Sequence, residues 1–276
     1  MSTLNVHALL DTRTVKVRDV YCGGECRHRS PEECASATTL VFPYRGVYRR
    51  HVDANEAIAD SGQVVFFNAE EGYRISHPVQ GGDACLSVMV DEAQLRELAP
   101  QALLRDGPRL AFRHQRLSID PRAQALVALL RHSLRTGVAE PLEAESLALT
   151  LTRRAIGPRT TRAPTASVSR QKLVDRTKLV LAGDPTHRWT LAEIAAEVGG
   201  SPVYLTQVFR QVEGLPLYRY QLRLRLARAL DLVAQYDDLT ALSLELGFSS
   251  HSHFSAAFAQ AYGRTPSEFR DAVRGR

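Results

Sequence analysis

The chain has 276 residues, 44% hydrophobic and 24% charged, with 35 Lys+Arg against 30 Asp+Glu and a net charge of +5. These proportions fit a globular protein of about two domains and exclude long disorder, collagen-like repeats and a disulfide scaffold. No run of eighteen apolar residues is present, which excludes a transmembrane helix. The opening MSTLNVHALLDTRTV lacks a basic segment followed by an apolar core, so the expected compartment is the cytoplasm.

Residues 1–90 read as β-rich. Thr38–Phe42, Gly46–Tyr48, Gln63–Phe67 and Leu86–Val90 are strand candidates. Asp60-Ser61-Gly62, Glu71-Gly72 and Gly81-Gly82-Asp83 punctuate them. Many short strands with regular turns predict a sandwich or barrel, whose mouth can hold a small ligand. Two His one residue apart on a strand, the metal-binding cupin pattern, do not occur.

All four cysteines precede residue 86, and Cys22, Cys26 and Cys34 fall within thirteen positions. A reducing compartment argues against a structural disulfide. Three readings stay open. The thiols could hold zinc, with Cys85 as fourth ligand and His28 as an alternate. They could sense redox state or electrophiles, with Arg27 and Arg29 lowering a thiol pKa. They could be incidental. The spacing is not that of a standard zinc finger.

Two helices are expected over 120–156. One carries the stripe Ala123, Leu126, Val127, Leu130, Leu134, and the other Ala144, Leu147, Ala148, Leu151, Ala155, with Pro121 and Pro141 near their starts. The stretch GPRTTRAPTASV, 157–168, has no apolar periodicity and reads as a linker. Residues 1–157 carry 19 Lys+Arg and 19 Asp+Glu, and residues 158–276 carry 16 and 11. The whole +5 therefore lies in the second part, as expected where a polyanion binds.

That part repeats itself. LAEIAAEVGGS from Leu191 and LTALSLELGFS from Leu239 align, with Gly199 and Gly247 48 residues apart. Leu205, Phe209 and Gly214 then match Phe254, Phe258 and Gly263, with one residue inserted. Each unit reads as helix, glycine turn, helix. Ser201 caps the second helix of the first unit, with Pro202 at its first position. Ser249 or Ser250 does so in the second unit. The buried stripes are Leu205, Val208, Phe209, Val212 and Phe254, Ala257, Phe258, Ala261. A long helix over Leu217–Gln235 joins the two. Two helix-turn-helices fixed by one helix could enter successive major grooves about 34 Å apart. Off the first stripe lie Val203, Thr206, Gln207 and Arg210. Gln pairs bidentately with adenine, and Thr and Val can touch the thymine methyl. Arg210, Arg219, Arg223 and Arg228 are expected to hold phosphates or make internal ion pairs. Trp189 is expected to pack at the start of the first helix.

Residues 169–272 resemble the DNA-binding domain of the AraC/XylS family of bacterial transcription regulators. The resemblance rests on Leu191-x-x-Ile194-Ala195, Gly199, Ser201-Pro202-x-Tyr204-Leu205-x-x-x-Phe209, Gly214 and Pro216. It continues through Arg223-Leu224-x-x-Ala227, Leu246-Gly247-Phe248-Ser249-Ser250, Ser252-His253-Phe254-Ser255-x-x-Phe258 and Gly263-x-Thr265-Pro266-Ser267-Glu268-Phe269-Arg270. Gly200 and Ser243 depart from the pattern. The resemblance implies seven helices, base contact from Val203, Thr206 and Gln207, and matching positions His251, Ser252, Ser255 and Ala256 on the second reading helix. Ala256 stands where the family often has a long polar residue, so the second unit is expected to act more through phosphates and shape.

Phe42-Pro43-x-x-Gly46-Val47, Asp60-x-Gly62-x-Val64-x-Phe66 and Tyr73-x-x-x-His77-Pro78 resemble the cupin-type sensor barrel often joined to such domains. The expected fold class is therefore α+β: a cupin-like β-barrel with a helical pair over 1–156, a linker over 157–168 and an all-α domain over 169–276. The implied function is a one-component regulator. It would bind double-stranded promoter DNA as a homodimer through the helical pair, sense an effector, and contact RNA polymerase if it activates. The competing reading is an enzyme, either cupin-type or a zinc-thiolate alkyl acceptor fused to such a domain. The alkyl acceptors need a later Cys-x2-Cys, which this chain lacks.

Overall fold

The computed structural model describes residues 4–24, 27–157 and 167–275. The chain divides into two compact units, Met1–Arg162 with Ser267–Arg276, and Ala163–Pro266. The expected linker lies mostly outside the described residues.

Among the described residues, ten strands fill the first part: β1 (Leu4–Asp11), β2 (Val15–Cys22), β3 (Glu33–Cys34), β4 (Thr39–Gly46), β5 (Tyr48–Val52), β6 (Asn55–Ala59), β7 (Gln63–Phe67), β8 (Gly72–Ser76), β9 (Asp83–Val90) and β10 (Arg116–Ser118). They form a six-stranded sheet, β1-β2-β9-β4-β7-β10, and a four-stranded sheet, β3-β8-β5-β6. Three helices accompany them: α1 (Glu92–Leu98), α2 (Pro121–Thr136) and α3 (Pro141–Ile156).

Alternation along the strands decides the layering, because successive side chains point to opposite faces. Val15, Val17, Leu40, Phe42, Val64, Phe66, Leu86 and Val88 share one core with Leu95 of α1, Val127 and Leu130 of α2, and Ala148 and Leu151 of α3. The other face offers Val41, Val65, Phe67 and Cys85, which pack with Tyr48, Ala59 and Ile75 of the smaller sheet. The order is helices, large sheet, small sheet.

The expected closed barrel is not formed. The strands divide into two antiparallel sheets, and β1 and β10 end the larger one without pairing to each other. Helices cover one face of that sheet, and β10 is only three residues long before the chain turns into α2. The stripes expected to join two copies are spent on the chain's own sheet: Ala123, Leu130, Ala144, Ala148, Leu151 and Ala155 are fully buried there. Asp120 caps α2 and accepts 2.9 Å from Arg154 Nε of α3, which locks the pair.

The second part holds α4 (Val168–Gly183), α5 (Leu191–Val198), α6 (Pro202–Glu213), α7 (Leu217–Leu232), α8 (Leu239–Glu245) and α9 (His251–Tyr262), and α10 (Pro266–Arg274) closes the chain. Among the described residues α4 to α10 make the seven helices that the resemblance implies, although α10 falls in the first compact unit. Leu173, Val174 and Leu181 of α4 pack with Ile194, Ala195 and Val198 of α5, Leu205, Val208 and Phe209 of α6, and the start of α7. Trp189 joins this core at its edge, its indole N–H donating 2.9 Å to the Asp184 carbonyl.

Candidate nucleic-acid interface

Each helix-turn-helix is set by its caps. Thr190 and Glu193 form a capping box at the start of α5, and Gly199 ends that helix in the left-handed conformation, φ +72°. Glycine is favoured there because a Cβ would crowd the backbone. Ser201 then accepts 3.2 Å from the Tyr204 amide, with Pro202 at the first helical position, and α6 begins. The second unit repeats this: Asp238 caps α8, Gly247 turns at φ +75°, and Ser250 accepts 3.1 Å from the His253 amide to start α9. Ser250, not Ser249, is the cap.

The caps fix which residues face outward. On α6, Leu205, Val208 and Phe209 are buried, leaving Val203, Gln207 and Arg210 exposed and Thr206 half-buried. Val203 is 69% exposed. The Thr206 hydroxyl donates 2.9 Å to the Pro202 carbonyl, one turn back. That ties its proton and leaves the oxygen as an acceptor. On α9, His251, Ser252 and Ala256 are exposed, and Ser255 Oγ lies 3.3 Å from His251 Nε2. Every candidate reader thus stands off the buried stripe of its helix.

The arginines divide by role. Arg225 is held inside the unit, its Nη1 3.4 Å from the Gly247 carbonyl and its Nη2 3.2 Å from that of His187. Burial, then Arg188, lowers its pKa from the ordinary arginine value. It buttresses the second glycine turn, a role that spacing along α7 does not reveal. Arg228 lies 3.8 Å from Glu245 of α8. Arg210 and Arg219 are exposed.

The cysteines lie apart from this surface. Cys26 lies outside the described residues, His28 and Cys34 are exposed, Cys22 is half-buried and Cys85 buried. The β2–β9 register sets Cys22 opposite Asp83 and Val20 opposite Cys85, so both cysteines share a sheet face with Asp83. The Cys85 thiol donates 3.1 Å to Asp83 Oδ2, and Asp83 Oδ1 is 2.5 Å from His77 Nε2. Among the described residues, Cys22, His77 and Asp83 hold three potential ligand atoms within 4.8 Å of one another, and Cys34 and His28 are not in that group. Burial, then Asp83, pushes the Cys85 thiol well above its ordinary value. That is the opposite of an activated nucleophile. His77 and Asp83 escape a reading that searches for cysteines; their signal is a His and an Asp flanking a Gly81-Gly82 turn.

Comparison with known proteins decides the second part. A family model described as a helix-turn-helix domain matches residues 194–272. The transcriptional activator RhaR of Klebsiella pneumoniae is 29% identical over 110 residues, 40% of this chain and 39% of that one. A putative AraC-like transcription regulator of Streptomyces antibioticus is 28% identical over 228 residues, 78% of this chain and 72% of that one.

The chain carries an AraC-type helix-turn-helix domain.

A crystal structure of an AraC-type regulator from Chromobacterium violaceum is 29% identical and covers 39% of this chain and 96% of its own, with a TM-score of 0.37. This chain spans 39% of the length of RhaR, so likeness to that activator concerns the AraC-type domain alone. Within that domain, Gly200 and Ser243 are accommodated. A Cβ at Gly200 would meet open space, and the Ser243 hydroxyl is buried and donates 2.8 Å to the Thr240 carbonyl.

Proposed function

We propose that this chain is a DNA-binding transcription regulator, with residues 169–276 binding promoter DNA and residues 1–156 sensing an effector. One observation carries the reading: two helix-turn-helix units, each closed by a left-handed glycine and a serine cap, present their non-core faces to solvent. Val203, Thr206 and Gln207 read bases from α6, and Arg210 holds a phosphate beside them. His251, Ser252 and Ser255 contribute from α9, more through backbone contacts and shape. The excess of 16 basic over 11 acidic residues in 158–276 supplies the attraction.

Sensing is supported by polar groups buried in the first part. The Arg50 guanidinium is fully buried, 3.1 Å from Glu71 and stacked 4.5 Å above the Phe67 ring, with Nε and Nη1 making no hydrogen bond. The buried Tyr48 hydroxyl makes none either. Orphaned donors of this kind mark an interior suited to a polar ligand. An effector acts by binding two states of the protein differently. The regulator acts as a homodimer, through faces other than the buried stripes of α2 and α3, and contacts RNA polymerase where it activates. Its compartment is the cytoplasm, and no described helix is long and apolar enough to cross a membrane.

Gel shifts at physiological salt with the full chain and the DNA upstream of its own gene test this. A preferred fragment supports the reading, and equal binding to all fragments defeats it. Sedimentation of the full chain on and off that DNA tests the dimer.

A further inference from the structure

We propose that Cys22, His77 and Asp83 bind one zinc-class divalent cation, with the Cys85 thiol steadying Asp83 from behind. The site differs from a cluster of loop cysteines, because only one of its three ligands is a thiol.

Three features build it. First, the strand register places a thiol and a carboxylate side by side: Cys22 pairs with Asp83 across β2 and β9. Second, the turn that brings in His77 approaches the strand ends so closely that neither Gly82 nor Gly46 admits a side chain. A Cβ on Gly82 (φ +68°) would lie 2.0 Å from the Cys22 carbonyl oxygen, and one on Gly46 (φ +69°) would lie 2.1 Å from that of Gly82. The backbone of 78–82 is thereby pressed onto the end of β2, and the thiol, imidazole and carboxylate converge. Third, the imidazole and the carboxylate are buried together. His77 is 4% exposed, Nε2 contacts Asp83, and Nδ1 is buried with no hydrogen bond. A buried imidazole held against a buried carboxylate, with a thiol beside them, needs an explanation.

A divalent cation supplies one. Thiolate, imidazole and carboxylate together are the donor set of zinc rather than of magnesium or calcium. One Cys22 thiolate and one Asp83 carboxylate neutralise a double positive charge, so the buried site carries no net charge. A tetrahedral ion holds such ligand atoms roughly 3.3–3.6 Å apart. The present span of up to 4.8 Å closes to that by side-chain rotation. On binding, Cys22 releases one proton, and the His77 proton moves from Nε2 to Nδ1. The ion then lies where His77 and Asp83 now share a hydrogen bond. Cys85 remains a thiol that donates to Asp83 Oδ2 and fixes the carboxylate's orientation.

The full chain, stripped with a chelator, is titrated with Co2+ and then with Zn2+. The expected result is one ion per chain, with a sulfur-to-cobalt charge-transfer band that zinc abolishes. Cys22→Ser removes that band. His77→Ala and Asp83→Asn each weaken zinc binding more than Cys85→Ala, which lowers affinity about 10- to 100-fold. Cys34→Ser binds as the unaltered chain does. Circular dichroism confirms that each variant is folded. If His77→Ala is not, the second measurement is the zinc-induced rise in Tm, present in the unaltered chain and absent in Cys22→Ser. The proposal is overturned if the unaltered chain takes up neither metal. It is also overturned if folded His77→Ala binds zinc undiminished, or if Cys34→Ser loses the band as Cys22→Ser does. No DNA is used, so the outcome is independent of the regulatory reading.

Discussion

Lys178 of α4 places its Nζ 2.8 Å from a carboxylate oxygen of Glu213, the last residue of α6, with both side chains nearly excluded from solvent. The ammonium also lies 5.3 Å from the centre of the Tyr220 ring. The end of α6 is thus tied to α4 by a buried ion pair. Removing one partner strands a buried charge, which costs about 3–5 kcal/mol, whereas replacing both with apolar groups is often neutral. Lys178→Ala is therefore expected to lower stability by that amount. Lys178→Met with Glu213→Leu should recover most of the loss in urea unfolding. A double variant as unstable as Lys178→Ala would show that the pair is not what fixes α6.

Two neighbours on α6 should fail differently. Gln207→Ala is expected to lower specific affinity by about 1–3 kcal/mol and to relax preference at one base pair. Arg210→Ala should weaken binding to all sequences alike and reduce the salt slope by about 1. Titrating both variants against singly substituted sites at several salt concentrations distinguishes the two roles. A Gln207 variant that changes only the salt slope would move it from base to phosphate contact.

The glycines of the 78–82 turn are not equivalent. Gly81 has φ +100° with open space around its would-be Cβ, while Gly82 would drive a Cβ into the Cys22 carbonyl. Both substitutions to Ala carry backbone strain of about 1–3 kcal/mol, and Gly82→Ala adds a clash that rigid backbone cannot relieve. Denaturant melts should rank Gly82→Ala clearly below Gly81→Ala, and equal losses would contradict the close approach.

Stability should decline on mild acidification because of His51. Its Nε2 is 2.9 Å from Ser76 Oγ and its Nδ1 is 3.2 Å from Glu56. Burial first, then Arg29, lowers its pKa below the ordinary 6.5, with Glu56 opposing and Arg49 adding to the fall. A depressed pKa means the unfolded chain binds the proton more readily. The neutral ring's contribution is thus complete above pH 6.5 and lost as pH falls through and below that value. Tm measured between pH 7.5 and 5.5 should fall more steeply in the unaltered chain than in His51→Gln, and parallel curves would remove His51 as the cause.

Much of the second part was legible because its signals are local. Gly199, Ser201-Pro202, Gly214 and Gly247 each act on the backbone within a few residues, so spacing alone yields helix, turn, helix. The apolar stripes name the buried face, and the residues that stand off it follow by subtraction. Ser250 over Ser249, and the hold of Arg225 on the second turn, depend on backbone geometry that spacing does not encode.

The first part was less legible because its sheets join distant residues. Alternation marked Gln63–Phe67 and Leu86–Val90 as strands but does not tell a closed barrel from two stacked sheets. That depends on which strands pair, and β2 reaches β9 across more than sixty residues. The helical stripes were read correctly as apolar, yet nothing in them says whether the surface they cover is their own sheet or a second copy.

By itself the sequence determined where the charge lies, that two capped helix-turn-helices occupy the second part, and which of their residues stand off the core. Local backbone preference and helical period suffice for that. Only the tertiary structure decided the company the cysteines keep. Cys22 meets His77 and Asp83 rather than Cys34, because strand register and a turn whose Gly82 admits no side chain, not proximity along the chain, set which side chains converge.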